Sequence, residues 1–260
     1  MIRMLETLLV AGSLVLFAPP VTAAEPLRIA AASDLKFCMD ELLDGFRAAH
    51  AGARVEVTYG SSGNFRTQIQ QGAPFDLYFS ADIAYPRELV VANLALPPVQ
   101  PYAVGRIVLW SSQLDASRMT LDDLKSARVR RIAIAAPRHA PYGRRAEEAL
   151  RSAGLWEQVQ PKLVFGENVA QAAQFVQSGN AQVGIIALSL ALSPELARQG
   201  GYFLIPESLH TPLEQGFVVT RRAAGNALAQ AFADHVVSPE ARAVMARYGF
   251  VLPAAAGSEP

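Results

Sequence analysis

Short apolar runs rich in valine and isoleucine alternate along the chain with longer segments of helical period. This alternation is typical of parallel sheets covered by helices, because a strand buried on both faces is apolar throughout whereas a covering helix is apolar on one side. The pattern therefore predicts an α/β fold. We predict strands at Leu27–Ala31, Val55–Tyr59, Leu77–Ser80, Ile107–Trp110, Ile132–Ala135, Leu163–Phe165, Val183–Ala187 and Phe217–Thr220.

The segment Asp34–Ala49 shows the helical period most clearly. Leu35, Met39, Leu42, Leu43 and Phe46 fall on one side of such a helix, and the charged residues fall largely elsewhere. The same pattern predicts helices at Ala146–Ala153, Ala170–Gln177 and Ala227–Val237. Pro239 is placed to open a final helix that ends near Gly249.

The chain shows no internal repeat, low-complexity tract or long linker. A proline-rich segment at residues 96–101 is the best candidate for a boundary between two lobes. If the chain returns to the first lobe near Gln215–Thr220, a cleft opens between two α/β units. We therefore predict a first lobe from residues 25–102 and 217–260 and a second lobe from residues 103–216, each with a mostly parallel sheet flanked by helices.

The first 24 residues have the pattern of an export signal. An apolar run from Leu8 to Phe17 follows a short segment with one arginine, and small residues end the segment at Ala24. The run is too short for a membrane-spanning helix, which needs about 20 apolar residues. We therefore predict a signal peptide at residues 1–24 and an exported protein.

Composition removes several classes of partner and site. Lys plus Arg and Asp plus Glu number 23 each, so no excess positive charge favours nucleic acid. Cys38 is the only cysteine, so the chain can form no internal disulfide and no thiolate metal cluster; we expect it to pack in the core. The four histidines lack metal-ligand spacing, and the P-loop, nicotinamide and serine-hydrolase motifs are absent.

Three segments combine a strand end or a helix start with small or hydroxyl residues. They are 30–35, where Ser33 or Asp34 can cap the next helix, 59–64, which contains Ser61 and Ser62 between two glycines, and 141–143 around Tyr142. Unpaired N–H groups at a helix start and the positive end of the helix dipole can hold an anion without lysine or arginine. Ligands of open α/β sheets collect at the carboxyl ends of strands. These segments therefore predict an anion site made of neutral donors.

At these residues the chain resembles the periplasmic molybdate-binding proteins of ABC transporters. The resemblance covers nearly the whole chain after residue 24 and implies the two-lobed type II periplasmic binding protein fold, with the ligand in the cleft between the lobes. The shared pieces are Ala-Ala-Ser-Asp-Leu at 31–35, Gly-Ser-Ser-Gly at 60–63, residues 68–82, His-Ala-Pro-Tyr-Gly at 139–143, Glu-Asn-Val at 167–169 and Arg-Tyr-Gly-Phe at 247–250.

The resemblance also implies a set of ligand-binding residues. Ser33 and Ser62 match hydroxyl ligands, and Ser61 adjoins the second of them. Tyr142 matches a residue that binds through its amide and, as a tyrosine, also through its hydroxyl, while Val169 matches a residue that binds through its N–H. Asp34 would contribute its amide.

Two positions depart from the pattern of some members. A second serine is replaced by Asp34 and a tyrosine ligand by Ala187, for which the Tyr142 hydroxyl could substitute. An ionised carboxylate only accepts hydrogen bonds and would repel a dianion by about 4 kcal/mol at ~4 Å and an effective dielectric of ~20. We therefore expect the Asp34 side chain to point away as a helix cap. The alternative is that it accepts a proton from a protonated anion such as hydrogen phosphate.

The resemblance implies a substrate-binding protein that captures molybdate, and with it tungstate, for an ABC transporter permease. It implies a periplasmic location, a monomer, no catalytic residue, no cofactor and no protein-bound metal cation, the metal being inside the oxyanion. A protein for another tetrahedral oxyanion, phosphate or sulfate, is the first alternative. An enzyme acting on a small anionic substrate in the same cleft is the second, although no general base pairs with a nucleophile in the sequence.

Overall fold

The structure is a computed structural model that describes residues 25–253. The predicted signal peptide at residues 1–24 lies outside the described residues. Ten strands form two sheets of five. They are β1 (Leu27–Ala32), β2 (Val55–Gly60), β3 (Leu77–Ser80), β4 (Gln100–Gly105), β5 (Ile107–Ser111), β6 (Ile132–Ala135), β7 (Leu163–Gly166), β8 (Val183–Ala187), β9 (Gly201–Leu204) and β10 (Leu213–Val219).

The two sheets are built on the same plan. Their strand orders are β2-β1-β3-β10-β4 and β7-β6-β8-β5-β9. In the first sheet β10 runs antiparallel to both neighbours, as β5 does in the second, so four of the five strands in each sheet share one direction. The predicted α/β fold with mostly parallel sheets is confirmed. In the first sheet β1 lies next to the edge strand β2, and in the second sheet β6 lies in the same way next to the edge strand β7.

Helices cover both sheets. They are α1 (Lys36–Ala49), α2 (Ser62–Gln70), α3 (Ala84–Val91), α4 (Pro141–Ser152), α5 (Trp156–Val159), α6 (Val169–Gln177), α7 (Leu188–Ala191), α8 (Pro194–Ala197), α9 (Ala227–Val236) and α10 (Pro239–Arg247). The predicted apolar face of α1 is buried, and Cys38 lies in it, as expected. None of the helices between residues 25 and 253 is both long and apolar enough to cross a bilayer.

The chain passes between the sheets at positions that differ from the predicted boundaries. It leaves the first sheet after Gly105 and enters the second at Ile107, and it returns between Leu204 and Leu213. The boundaries predicted at 102/103 and 216/217 therefore fall inside β4 and β10. The proline-rich segment is not the boundary, because its last residues already belong to β4 in the first sheet. The chain rejoins the first sheet through β10.

Strands β4 and β9 were absent from the sequence prediction. Both lie at sheet edges. Exposed residues alternate with partly buried ones in β9, and β4 begins with two exposed residues. An edge strand needs no continuous apolar run, since one side meets solvent. The start of β10 was predicted too late, at Phe217 instead of Leu213, because Gln215 and Gly216 interrupt its apolar pattern. The missed strands do not alter the layout of the two lobes.

Candidate functional site

All six residues named from the sequence line one small cavity between the lobes. It lies at the carboxyl ends of β1, β2, β6 and β7, and its water-accessible volume of about 10 Å³ is about what one water molecule needs. The lining residues are Ala32, Ser33, Asp34, Gly60, Ser61, Ser62, Ala81, Ala140, Pro141, Tyr142, Asn168 and Val169. The structure brings the six residues together in one cavity. Their roles as ligands stay a prediction.

A larger cavity of about 580 Å³ lies elsewhere, between the proline-rich segment, β10 and α9. Three of its polar side chains already have hydrogen-bond partners. Gln230 donates to Asp234, and Arg242 donates to the carbonyl of Pro253. The small cavity is the better candidate for an anion site, because it collects buried polar groups from both lobes.

Ser33 and Ser62 each present a hydroxyl that is only half used. The Ser33 Oγ accepts the N–H of Ala170 from the second lobe at 3.3 Å, and the Ser62 Oγ accepts the N–H of Ala81 at 3.0 Å. Within residues 25–253 neither hydroxyl donates a hydrogen bond. Both residues are buried. Each hydroxyl is therefore held in place by a backbone N–H while its own proton is left to donate.

The Ser61 hydroxyl is arranged differently from its neighbour. Its O–H donates to the carbonyl of His139 at 2.6 Å, and its Oγ lies 2.9 Å from His139 Nδ1. Because the hydroxyl proton is used on the carbonyl, the Nδ1–H of a neutral His139 donates to Ser61 Oγ. Burial lowers the pKa of His139, which favours that neutral form. The sequence reading took His139 as an isolated histidine, but it joins the two lobes.

The expectation that the Asp34 side chain points away as a cap is wrong. Neither the 3₁₀ turn Ser33–Leu35 nor α1 has a side-chain cap. The carboxyl group lies inside the protein, 1% exposed, where its Oδ2 accepts the Tyr142 hydroxyl at 3.0 Å and the Gln215 amide at 2.9 Å. Its Oδ1 is buried and has no hydrogen-bond partner among the described residues. Burial raises the pKa of Asp34 to about 6, against the lowering by the hydrogen bonds from Gln215 and Tyr142 and by the residue's own backbone N–H.

Gln215 is a site residue that the sequence reading missed. Its Oε1 accepts the Tyr102 hydroxyl at 2.6 Å, which turns its NH₂ group toward Asp34 and the Tyr142 oxygen. Gly105 lies beneath this group, since a Cβ there would lie 2.6 Å from Gln215 Nε2 and also clash with the Tyr142 hydroxyl. A glutamine close to the apolar run that starts at Phe217 was the one sequence signal that could have identified it.

The second lobe contributes two helix starts. Tyr142 lies in the first turn of α4 and Val169 opens α6, so their N–H groups belong to the turns whose amides have no intrahelical acceptor. A Cβ on Gly143 would clash with the carbonyl group of Ala135 at the end of β6, so this glycine lets α4 start close to the sheet. Burial holds the pKa of Tyr142 well above its ordinary value, so its hydroxyl stays protonated.

Another contact between the lobes lies close to Ala187. Ala187 ends β8, and Ser189 two residues later donates its hydroxyl to the backbone carbonyl of Asp34 at 2.7 Å. The sequence reading missed Ser189. Its bond fixes the first-lobe turn that carries Ser33 and Asp34 against α7 of the second lobe.

A second group of contacts joins the lobes nearer the surface, and we call them the rim contacts. They are Ser61 with His139, Gly63 N–H with the His139 carbonyl at 3.0 Å, Asp82 with Arg144, and Asn64 with Glu167 at 3.2 Å. We call the bonds of Asp34 with Tyr142 and Ser189, and that of Gln215 with Tyr142, the deep contacts. Asp34 forms no ion pair in the described chain, and residues 25–253 hold no group of acidic, histidine or cysteine side chains suited to a metal cation.

The similarity to known proteins agrees with this layout. The family model of the bacterial extracellular solute-binding proteins matches residues 27–251. A molybdate-binding protein ModA from Rhodobacter capsulatus is 38% identical over 77% of this chain and 78% of its own length, and one from Azotobacter vinelandii is 35% identical over 95% and 98%. The solved periplasmic molybdate-binding protein of Azotobacter vinelandii superposes with a TM-score of 0.82 at 31% identity, covering 87% of this chain and 99% of that one.

The predicted family and the predicted two-lobed type II fold are therefore confirmed. The chain belongs to the bacterial extracellular solute-binding proteins.

Proposed function

We propose that this protein captures molybdate outside the cytoplasm and delivers it to an ABC transporter permease. The observation that carries the proposal is the pair of buried hydroxyls of Ser33 and Ser62, each fixed by a backbone N–H and each left with a proton to donate into a cavity that both lobes line. The names of the relatives supply the identity of the anion.

The site suits a dianion although it contains no lysine or arginine. Helices α2, α4 and α6 begin at the cavity, so the positive ends of three helix dipoles and their first-turn N–H groups face it. Neutral donors that the closed lobes hold in place stabilise the charge of the anion. A permanently charged partner would add attraction but would also retain the anion that the transporter must take over.

Binding of the anion is coupled to movement of the lobes. The cavity offers about the room of one water molecule, whereas molybdate has four oxygens around its metal, so the lobes separate to admit it and close on it. The deep and rim contacts form only when the lobes meet. Their free energy therefore adds to the affinity for the anion.

Tungstate has the same charge and the same tetrahedral oxygens as molybdate, so we propose that the same donors hold it. Sulfate is smaller, and the donors of two closed lobes would not reach it equally well. The predicted signal peptide at residues 1–24 would direct export to the periplasm. We propose that the protein acts there as a monomer, because each lobe of one chain supplies half of the donors.

Calorimetric titration at neutral pH with molybdate, tungstate, sulfate and phosphate tests the function. We expect tight binding of molybdate and tungstate with one anion per chain, and weak or no heat from the other two. Binding of phosphate or sulfate in preference to molybdate would overturn the assignment. Turnover of a small phosphorylated or carboxylated substrate by the pure protein would replace it with an enzyme.

The substitution Ser62→Ala tests the site. It removes one neutral donor to a charged group, so we expect a loss of about 1.5–3 kcal/mol, or roughly one to two decades of affinity for molybdate. The matched control is Ser178→Ala, which changes an exposed serine at the end of α6. An affinity of Ser62→Ala within twofold of the control would show that this loop is outside the site.

A further inference from the structure

The two oxygens of the Asp34 carboxyl group have different surroundings. Oδ2 accepts two hydrogen bonds, from the Tyr142 hydroxyl and from the Gln215 amide, while Oδ1 is buried without a partner among the described residues. Tyr102 fixes the orientation of the Gln215 amide, because its hydroxyl donates to Gln215 Oε1 and so leaves the NH₂ group facing Asp34. Asp34 lines the cavity, and Oδ1 is its side-chain oxygen that has no partner among the described residues.

The groups that face Asp34 supply no positive charge. Tyr142 comes from α4, Tyr102 from β4 and Cys38 from α1, and burial raises the pKa of each, so all three stay neutral. Gln215 of β10 and Ser189 of α7 are neutral as well. An ionised Asp34 would therefore place an uncompensated negative charge in the same cavity as a bound dianion.

We infer that Asp34 binds the oxyanion as the neutral acid, with the proton on Oδ1 donated to an oxygen of the anion while Oδ2 continues to accept from Tyr142 and Gln215. This inference rests on the proposed function and makes the Asp34 side chain one of the groups that bind the anion. The carboxyl group, which would repel the anion when ionised, becomes a hydrogen-bond donor beside Ser33 and Ser62. The proton comes from solvent and remains on Asp34 while the anion is bound.

Proton uptake follows with a definite sign. The pKa of Asp34 in the absence of anion is raised by burial to about 6, so the group is mostly ionised at pH 8. A bound dianion raises that pKa further, and each binding event above pH 6 then takes up one proton. Affinity falls about tenfold for each pH unit above the pKa of the unbound site and is constant below it, because one proton is linked to one anion.

Calorimetry with sodium molybdate measures this linkage. Titrations from pH 5.5 to 8.5, each in two buffers of different ionisation enthalpy, give the affinity and the number of protons taken up. For the unaltered chain we expect about one proton per anion at pH 8 and about a quarter of a proton at pH 5.5, with the affinity falling about tenfold per unit above pH ~6.5.

The matched variant is Asp34→Asn, which keeps the shape and offers an N–H donor that cannot ionise. We expect it to bind molybdate without proton uptake, with an affinity that does not change with pH and that exceeds that of the unaltered chain at pH 8. Persistent uptake in this variant would assign the proton to another group, His139 at the rim being the nearest candidate, and would overturn the inference.

Two further outcomes separate the inference from the function. Molybdate binding by the unaltered chain with constant affinity and no proton uptake between pH 6.5 and 8.5 would overturn the role of Asp34 and leave the proposed function intact. No molybdate binding at any pH would overturn the function itself. The measurement on the unaltered chain decides the matter even if Asp34→Asn fails to fold.

Discussion

The deep contacts and the rim contacts both join the two lobes, but they meet water to different degrees. Asp34, Tyr142 and Gln215 are at most 3% exposed, whereas the side chain of Arg144 at the rim is 36% exposed and the bond between Asn64 and Glu167 is open to solvent. Removing one partner of a buried hydrogen bond leaves the other desolvated, whereas an exposed pair exchanges its partner for water. The two groups of contacts should therefore differ in what they contribute to closure and hence to anion affinity.

Packing between the lobes gives the largest expected effect. Gly63 lies in the first turn of α2, and a Cβ on it would lie 2.6 Å from the His139 carbonyl oxygen of the other lobe. Gly63→Ala would thus obstruct closure while leaving each lobe intact, since alanine favours a helix. At the upper end of the cost of overpacking, about 3 kcal/mol, we expect molybdate binding to weaken about 100-fold.

Gly45→Ala is the control for this substitution. Gly45 also lies inside a helix, α1, but a Cβ there would lie 3.7 Å from the nearest atom, at ordinary contact distance in the same lobe. We expect its affinity to match that of the unaltered chain. Calorimetry and thermal unfolding of both variants make the comparison. Equal affinities for the two variants would mean that the lobes do not approach at Gly63 when the anion binds.

A deep hydrogen bond gives the next effect. Tyr142→Phe removes the hydroxyl that donates across the cleft to Asp34 and retains the ring. Because the lost bond forms only when the lobes meet and is buried, we expect a cost of about 1.5 kcal/mol, or roughly tenfold in molybdate affinity. Tyr202→Phe, which alters a partly exposed residue of edge strand β9, should leave the affinity unchanged. Identical affinities for the two variants would remove Asp34–Tyr142 from the contacts that drive closure.

Much of the fold could be predicted from local sequence pattern, because the spacing of apolar residues in buried strands and amphipathic helices repeats every few residues. The central strands and the helices α1, α6 and α9 were predictable for this reason. The edge strands β4 and β9 were not, since each begins with Gln-Pro or Gly, which are typical of turns and loops, and each has exposed residues. The exchange between sheets at Arg106 was hidden because β4 and β5 are almost continuous.

The prediction for Asp34 shows the limit of local reasoning at the site. A residue at a strand end before a helix is usually a cap, and local pattern favoured that reading. The direction of the side chain is set instead by Tyr142 and Gln215, which lie 108 and 181 residues further along the chain. Ser189 and His139 were missed for the same reason, as their partners Asp34 and Ser61 are in the opposite lobe. Contacts between lobes leave no periodic trace in the sequence.

The smallest expected effect is at the rim contact between Arg144 and Asp82. Arg144 pairs with Asp82 across the cleft and lies over the Tyr85 ring at 5.4 Å. The pair is partly open to solvent, with the Arg144 side chain 36% and the Asp82 side chain 17% exposed. Ion pairs near the surface contribute about 0–1 kcal/mol, so Arg144→Ala should weaken molybdate binding only about threefold, and less at high salt, where screening reduces the contribution of the pair. Arg151→Ala, on the same helix but paired with Glu147 within one lobe, is the control and should bind as the unaltered chain does. A loss of 30-fold or more in Arg144→Ala would show that the rim, rather than the deep contacts, holds the closed lobes together.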